Sequence, residues 1–506
     1  MAGQAGRATQ AVRMRASRRG ASALGGPLCC LPPSRHCTRR SIAAATLAQT
    51  PPSPSTRWRP ISVLDDWVAK EARPISLRQL MVFGRSLTEA RLISSANYVR
   101  TELPTRLAHR IRDIQQLPYA VVSNPHISAV YELYYNAFDM FRKVKEIKTL
   151  DDNDVLCDVI GQTLQAHLPV IPKLAMGILE CSDLMPARDL DKFMNTILRA
   201  RISRRVIAEQ HLALTETFNA SWYSPGAPLP EGHEFIGEVF LKCQARDVID
   251  RCAKAVCDLA RSAYGPDVQV PDIQLTGHLD TTFPYILSHL EYIVGELLRN
   301  AVQATVERSQ RLYGSQNGGS GSGGGSGAAA ASLSHTNGVP PPPPPIEITL
   351  CEAAQHVIIR VSDQGGGVPH DMMPYLWSFS KGKHSQRLLE NLKKVPRMSA
   401  TLQELRVDEM QQPPSRHSTT HRQDKPPNVT GDPDHPHGNS LASLSQRPPN
   451  LRLGMGLPLS RVYAEYWAGS LELHSLEGYG VDAFLQISKL GNKNEQLTMR
   501  ASMDAV

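Results

Sequence analysis

One segment of helical period, Leu287 to Arg308, carries the run E-L-L-R-N, so Glu296 and Asn300 stand one helical turn apart on one face. Three glycine-marked blocks follow it in order: S-D-Q-G-G-G-V-P from Ser362 to Pro369, G-M-G-L from Gly454 to Leu457, and G-Y-G from Gly478 to Gly480. The first leaves a strand-like run, Val357 to Val361, and the second opens a helical run, Leu459 to Ala468. Glycines at such junctions let the backbone turn tightly and approach a bound group with no Cβ in the way. Strand-like and helical runs joined at such blocks read as helices laid on a sheet in the second half of the chain. No G-x-x-x-x-G-K-[ST] occurs, and no H-R-D or D-F-G, which excludes a P-loop and the ordinary protein-kinase fold.

Upstream the periodicity differs. Ser76 to Phe83, Leu87 to Thr101, His126 to Arg142, Asn153 to Leu168 and Asp189 to Thr217 repeat apolar residues at helical spacing. Pro104, Pro118 and Pro125 punctuate them. Long amphipathic helices with short connections predict a four-helix-bundle-like domain at residues 61–230. From about Glu234 strands and helices mix. Ile346 to Leu350, Val357 to Val361, Ser470 to His474 and Asp482 to Ile487 read as strands, and Ala245 to Ala263 as a helix. The fold class is therefore α+β, with a helical domain followed by an α/β sandwich at residues 231–490. Two polar or low-complexity stretches, residues 309–345 and 384–450, read as solvated inserts without a core of their own, and 491–506 as a tail.

The formal net charge of +7 is set by the leader. Before Asp65 there are ten arginines and no acidic residue, and without those ten the charge becomes about −3. Nothing in that balance argues for nucleic acid. An acid-free, Arg-, Ser- and Ala-rich start over residues 1–60 has the composition of a mitochondrial transit peptide, giving the matrix as the expected address. No apolar run is long enough to span a membrane. The nine cysteines include no C-x-x-C pair, and Cys252 and Cys257 read as reduced core thiols.

The site residues follow from their chemistry. The Asn300 amide oxygen is a hard ligand suited to Mg²⁺. Glu296, on the same helix face, enters the same site. The amides around Gly454 and Gly456, at a helix start, can cradle phosphate oxygens, with Met455 and Leu457 in the same turn. Taken singly, each motif also fits an ordinary helix face or turn. Taken in order, they resemble the N, G1, G2 and G3 boxes of the GHKL (Bergerat) ATP-binding fold, shared by histidine kinases and the mitochondrial 2-oxoacid dehydrogenase kinases. The resemblance implies ATP and Mg²⁺ as cofactors and Glu296 as a base or water-orienting group. It also implies Asp363 as acceptor of the adenine amino group, Gly365 and Gly367 as the nucleotide turn, and an ATP lid where residues 384–450 lie. One departure is Val481 where the family has Thr in its last box.

The helical half resembles the mitochondrial pyruvate and branched-chain 2-oxoacid dehydrogenase kinases through E-L-P-T-R-L-A-H-R-I (Glu102 to Ile111), V-I-P-K-L-A-M-G (Val170 to Gly177) and R-I-S-R-R-V-I-A-E-Q-H-L-A-L (Arg201 to Leu214). That resemblance implies a protein-serine kinase acting on the E1α subunit of a dehydrogenase complex. It implies docking on the E2 lipoyl domain, a homodimer, and a 2-oxoacid pocket at His167, Arg201 and Arg205. L-E-Y-I-V-G-E-L-L-R-N, with Tyr292 where the pyruvate branch has His, leans to the branched-chain complex. Two other classes stay open: a histidine kinase using His211, and a lipoyl-domain adaptor without catalysis.

Overall fold

The computed structural model describes residues 61–85, 87–220, 235–265, 268–317, 342–381, 385–393, 453–491 and 493–497. The leader, most of both inserts and the end of the tail lie outside the described residues.

Eight helices come first: α1 Ile61–Val68, α2 Leu77–Gly84, α3 Glu89–Gln115, α4 Tyr119–Val122, α5 Pro125–Arg142, α6 Leu150–Ala166, α7 Val170–Glu180 and α8 Ala187–Asn219. Side chains set several starts. Ser76 makes a capping box with Gln79, Thr149 does so with Asp152, and Asn124 caps α5 with Pro125 at its first turn. α3 packs on α5, α6 and α8, and α5 packs on α7, around Leu103, Leu107, Ile111, Tyr134, Phe138 and Ile160.

Pro104 does not end a helix, contrary to its reading as punctuation, because α3 runs straight through it. The stripe Val99, Leu103, Leu107, Ala108, Ile111 and Ile114 is buried on both sides of the proline. Burial of that stripe outweighs the roughly 3 kcal/mol cost of an interior proline.

Strands follow: β1 Phe235–Ile236, β2 Val239–Gln244, α9 Ala245–Tyr264, β3 Ile273–Gly277, β4 Thr282–Ile286, α10 Leu287–Asn317, β5 Ile346–Glu352, β6 His356–Asp363, α11 Ser385–Lys393, α12 Gly456–Tyr466, β7 Ser470–Leu476 and β8 Gly480–Ser488. One sheet has the order β1-β2-β4, the other β3-β5-β6-β8-β7. β3 and β5 are parallel and the remaining pairs are antiparallel. α10 lies on β6, α12 lies on β7 and β8, and α9 packs against α10.

Both insert boundaries need correction. α10 continues through Asn317, beyond the expected end at Arg308. α11 occupies the start of the second insert, with Leu392 only 3% exposed and the helix packed on α7. Its run S-Q-R-L-L-E-N-L-K places Leu388, Leu389 and Leu392 on one face, enough to dock a single short helix without an independent core. The tail is also structured at its start. Asn494 bridges to Ser76, and Glu495 N–H donates to Ile75 O at 2.8 Å while the Ile75 N–H donates to the Glu495 carboxylate at 3.1 Å.

The described residues, from 61 onward, make one compact unit. Charged pairs tie the helical half to the sheet half within it. Arg199 of α8 pairs with Glu465 of α12, and Arg106 Nη1 of α3 meets Glu495 Oε1 at 2.7 Å. Asp191 of α8 accepts from the N–H of Phe379 at 2.7 Å.

Candidate functional site

α10 organises the site. Glu296 is 3% exposed, whereas Asn300, one turn further on, is exposed. Gly456, the first residue of α12, sits directly on the Glu296 carboxylate. A side chain there would begin 3.0 Å from Glu296 Cδ and overlap an oxygen. Further along the same helix, Ala304 fills the space beside Gly365, leaving room for no Cβ. One helix therefore contacts the first two of the three glycine blocks that the sequence singled out.

Asp363 ends β6 and is buried, with 8% exposure. Its Oδ1 accepts from Gly365 N–H at 2.7 Å. Burial pushes its carboxyl up to about 6, reinforced by Asp482. The amides of Gly365 and Val481 and the charge of Arg308 pull the other way. Position 481 contributes through its backbone amide, which valine supplies as well as threonine would. Gly367, at φ 73°, lies under the Leu476 carbonyl, where a Cβ would strike the backbone.

Arg308 and the docking of the G-Y-G loop were not foreseen. Arg308 Nη1 donates to Gln364 O at 2.7 Å and Tyr479 O at 2.5 Å, and Nη2 to Gly478 O at 2.9 Å. Gly366 N–H also donates to Tyr479 O at 3.0 Å, and Gly478 N–H to Gly366 O at 2.8 Å. One guanidinium from α10 thus fastens the turn after β6 to the turn before β8. Its position one turn beyond Ala304 was the available signal, but an arginine near a helix end usually reads as a solvated charge.

Glu296, Asp363, Gly365 and Gly456 lie along α10, and Gly367 packs on the end of β7. Met455 is buried beside them and Leu457 is half-buried. Gly454 turns at φ 71° against Leu388 of α11 and Lys381. The set offers a carboxylate, an exposed amide one turn away, a buried carboxyl at a strand end and backbone amides at a helix start. These groups fit a phosphorylated nucleotide with a hard divalent cation. Among the described residues no cluster of three or more His, Cys, Asp or Glu gathers as a metal site. A magnesium ion held by an amide oxygen and phosphates requires none.

The second constellation also assembles. His167, Arg201 and Arg205 line one cavity with Arg204, Leu103 and Phe141. The three arginines are 3–6% exposed, so they do not form an exposed basic helix face. Arg205 bonds Glu209 at 2.5 Å, and Arg204 stacks 4.2 Å over the Tyr134 ring. His167 is held neutral, its pKa pulled to about 3 by burial and then by the arginines, while Nε2 lies 3.1 Å from Leu133 O. The cavity is small, about 30 Å³, room for a few atoms unless the walls give. It is walled by hydrocarbon and by guanidinium groups, a setting for a compact organic anion.

His211 is elsewhere. It is 1% exposed, its Nδ1 is 3.1 Å from Ser95 Oγ and its Nε2 2.9 Å from Asn153 Oδ1, and burial lowers its pKa to about 4. Both ring nitrogens are engaged in the helical core, and neither faces the α10 site.

Comparison with known proteins was made against this geometry. The family model described as mitochondrial branched-chain alpha-ketoacid dehydrogenase kinase matches residues 74–240. The mitochondrial [pyruvate dehydrogenase (acetyl-transferring)] kinase 2 of Saccharomyces cerevisiae is 31% identical over 457 residues, covering 86% of this chain and 86% of that protein. The mitochondrial [pyruvate dehydrogenase (acetyl-transferring)] kinase of Arabidopsis thaliana is 26% identical over 447 residues, 87% of this chain and 97% of that protein. Isozyme 1 of Mus musculus is 26% identical over 479 residues, 92% of this chain and 88% of that protein.

Proposed function

The chain belongs to the mitochondrial 2-oxoacid dehydrogenase kinase family, and we propose that within it the chain is an ATP-dependent protein-serine kinase of the pyruvate dehydrogenase E1α subunit. It is a mitochondrial kinase; the matrix address, the serine acceptor and the choice of complex are our reading. The lean of Tyr292 towards the branched-chain complex is outweighed, because the relatives that align over most of the chain carry pyruvate dehydrogenase kinase names.

The observation that carries the reading is the meeting of Glu296 and Gly456. It puts a candidate proton acceptor against the turn whose amides suit phosphate. Asn300 would hold Mg²⁺, which when bound neutralises charge on the phosphates. Asp363 would accept the adenine amino hydrogen, fixed by the amides of Gly365 and Val481. Glu296 would take the proton of the attacking hydroxyl. The helical half would dock the E2 lipoyl domain, and two copies would pair as a homodimer. A histidine kinase is disfavoured by the engaged ring of His211. An adaptor is disfavoured by the intact set around α10.

Calorimetry tests the site. Asp363→Asn is expected to weaken ATP binding at least tenfold, and Asn300→Ala to abolish the effect of magnesium on affinity. Affinity unchanged in both variants would remove the nucleotide assignment. The raised Asp363 carboxyl adds a pH signature. Above about 6 it is a carboxylate and accepts strongly; below, it holds a proton and keeps only a weaker, neutral acceptor. ATP affinity should therefore fall as pH drops through about 6, and that limb should flatten in Asp363→Asn.

The arginine cavity supports a second expectation. A short 2-oxoacid should inhibit the wild type, and Arg205→Ala should shift its dose curve to concentrations at least tenfold higher. Equal inhibition of both proteins would count against a regulatory pocket at Arg201 and Arg205.

A further inference from the structure

Lys381 is costly where it stands. Its φ is 54°, in the left-handed region that favours glycine, and its side chain is buried, the residue being 8% exposed. Burial lowers its pKa to about 8, only partly opposed by Asp191. Asp191 is itself occupied, its Oδ1 accepting from the N–H groups of Phe379 at 2.7 Å and Ser380 at 3.4 Å. The Lys381 ammonium donates to Tyr375 O at 3.1 Å and Leu376 O at 3.0 Å, which engages two of its three donors. A strained backbone and a buried charge in one residue point to a role beyond packing.

Its surroundings say which. Lys381 Cε lies 3.2 Å from the point where a side chain at Gly454 would begin. At Gly456, two residues on, the corresponding point lies 3.0 Å from Glu296 Cδ. The Gly454-Met455-Gly456 turn therefore has a buried lysine stem against one glycine and a buried carboxylate against the other. Arg461 of α12 lies 4.9 Å over the Trp377 ring, holding the segment that leads to Lys381 on the first turns of α12.

We propose that Lys381 is the cation that holds the terminal phosphate of the nucleotide at the Gly454–Gly456 turn. The assignment rests on the nucleotide reading of this site. A flexible four-carbon stem lets the ammonium exchange a carbonyl for a phosphate oxygen, and a water-poor setting strengthens the attraction. The roles then divide. Backbone amides cradle the phosphates, Lys381 neutralises the outermost one, and Glu296, against Gly456, would take the proton of the acceptor hydroxyl.

Calorimetric titration of Lys381→Met and Lys381→Gly with ATP and with AMP tests this. ATP should bind about ten- to a hundredfold more weakly to both variants, the effect of one lost charge-assisted hydrogen bond, and AMP as it binds wild type. Lys381→Gly suits the left-handed backbone, so it guards against a folding defect in the methionine variant. On wild-type protein, an acyl-phosphate derivative of ATP should acylate Lys381, with protection by ATP and not by AMP. ATP affinity within twofold of wild type, equal weakening of ATP and AMP, or acylation confined to other lysines would overturn the assignment while leaving the nucleotide site intact. Failure of the wild type itself to bind ATP would remove both.

Discussion

Glu296→Gln is expected to bind ATP nearly as wild type does and to lose about 10²- to 10⁴-fold in phosphotransfer. Glutamine keeps the shape that Gly456 has no side chain to dispute, so the turn should stay in place. What it loses is the capacity to accept a proton. Positioning and electrostatics carry much of phosphoryl transfer, which leaves a residual rate. Single-turnover transfer with binding measured on the same samples separates the two effects. Full activity would show that Glu296 serves only as a floor for the turn.

The second large effect should fall on stability. Glu495 is 3% exposed and accepts from Arg106, from Tyr466 of α12 and from the N–H of Ile75. Arg106 is also bonded to Glu102, at 3.3 Å, and to Arg73 O, at 2.7 Å. Its charge is held firmly by Glu495, with its pKa raised despite burial. Glu495→Ala leaves a buried guanidinium short of its partner and should cost about 3–5 kcal/mol in denaturant unfolding. Arg106→Met with Glu495→Ala should cost less than the two single changes summed, because no orphaned charge remains. A loss under about 1 kcal/mol in Glu495→Ala would mean that Glu102 and the neutral acceptors around it satisfy Arg106 without Glu495.

How far the sequence reached depended on the range of each interaction. Helices α2, α5, α6 and α8 were legible because their apolar residues repeat within a few positions of each other, and side-chain caps fix the starts of the first three. Strands β5 to β8 were legible for the same reason. The site residues were legible as an ordered set of blocks, although none was distinctive alone. What escaped was set by distant partners. Pro104 looked like a helix stop until the buried stripe on both sides of it was seen. Arg308 carried no local signal of its partners, because the carbonyls it binds, at 364, 478 and 479, are remote in the chain. Leu392 lay in a stretch whose polar composition masked a single docked helix. Glu495 sat in what read as a tail, and its partners belong to α3 and α12. Short strands such as β1, Phe235–Ile236, exist only through pairing with β2 and offered no period to read.

The measurement that bears most directly on the central claim offers the pyruvate and branched-chain dehydrogenase complexes side by side to the purified protein with labelled ATP. Label is followed through acid treatment, and dehydrogenase activity is read in parallel. We predict acid-stable label on serine of the pyruvate E1α subunit, a matching fall in pyruvate dehydrogenase activity, and loss of both with Glu296→Gln. Label confined to the branched-chain E1 would correct the substrate and keep the kinase. Acid-labile label on the protein itself, or bound ATP with no transfer to either complex, would contradict the account.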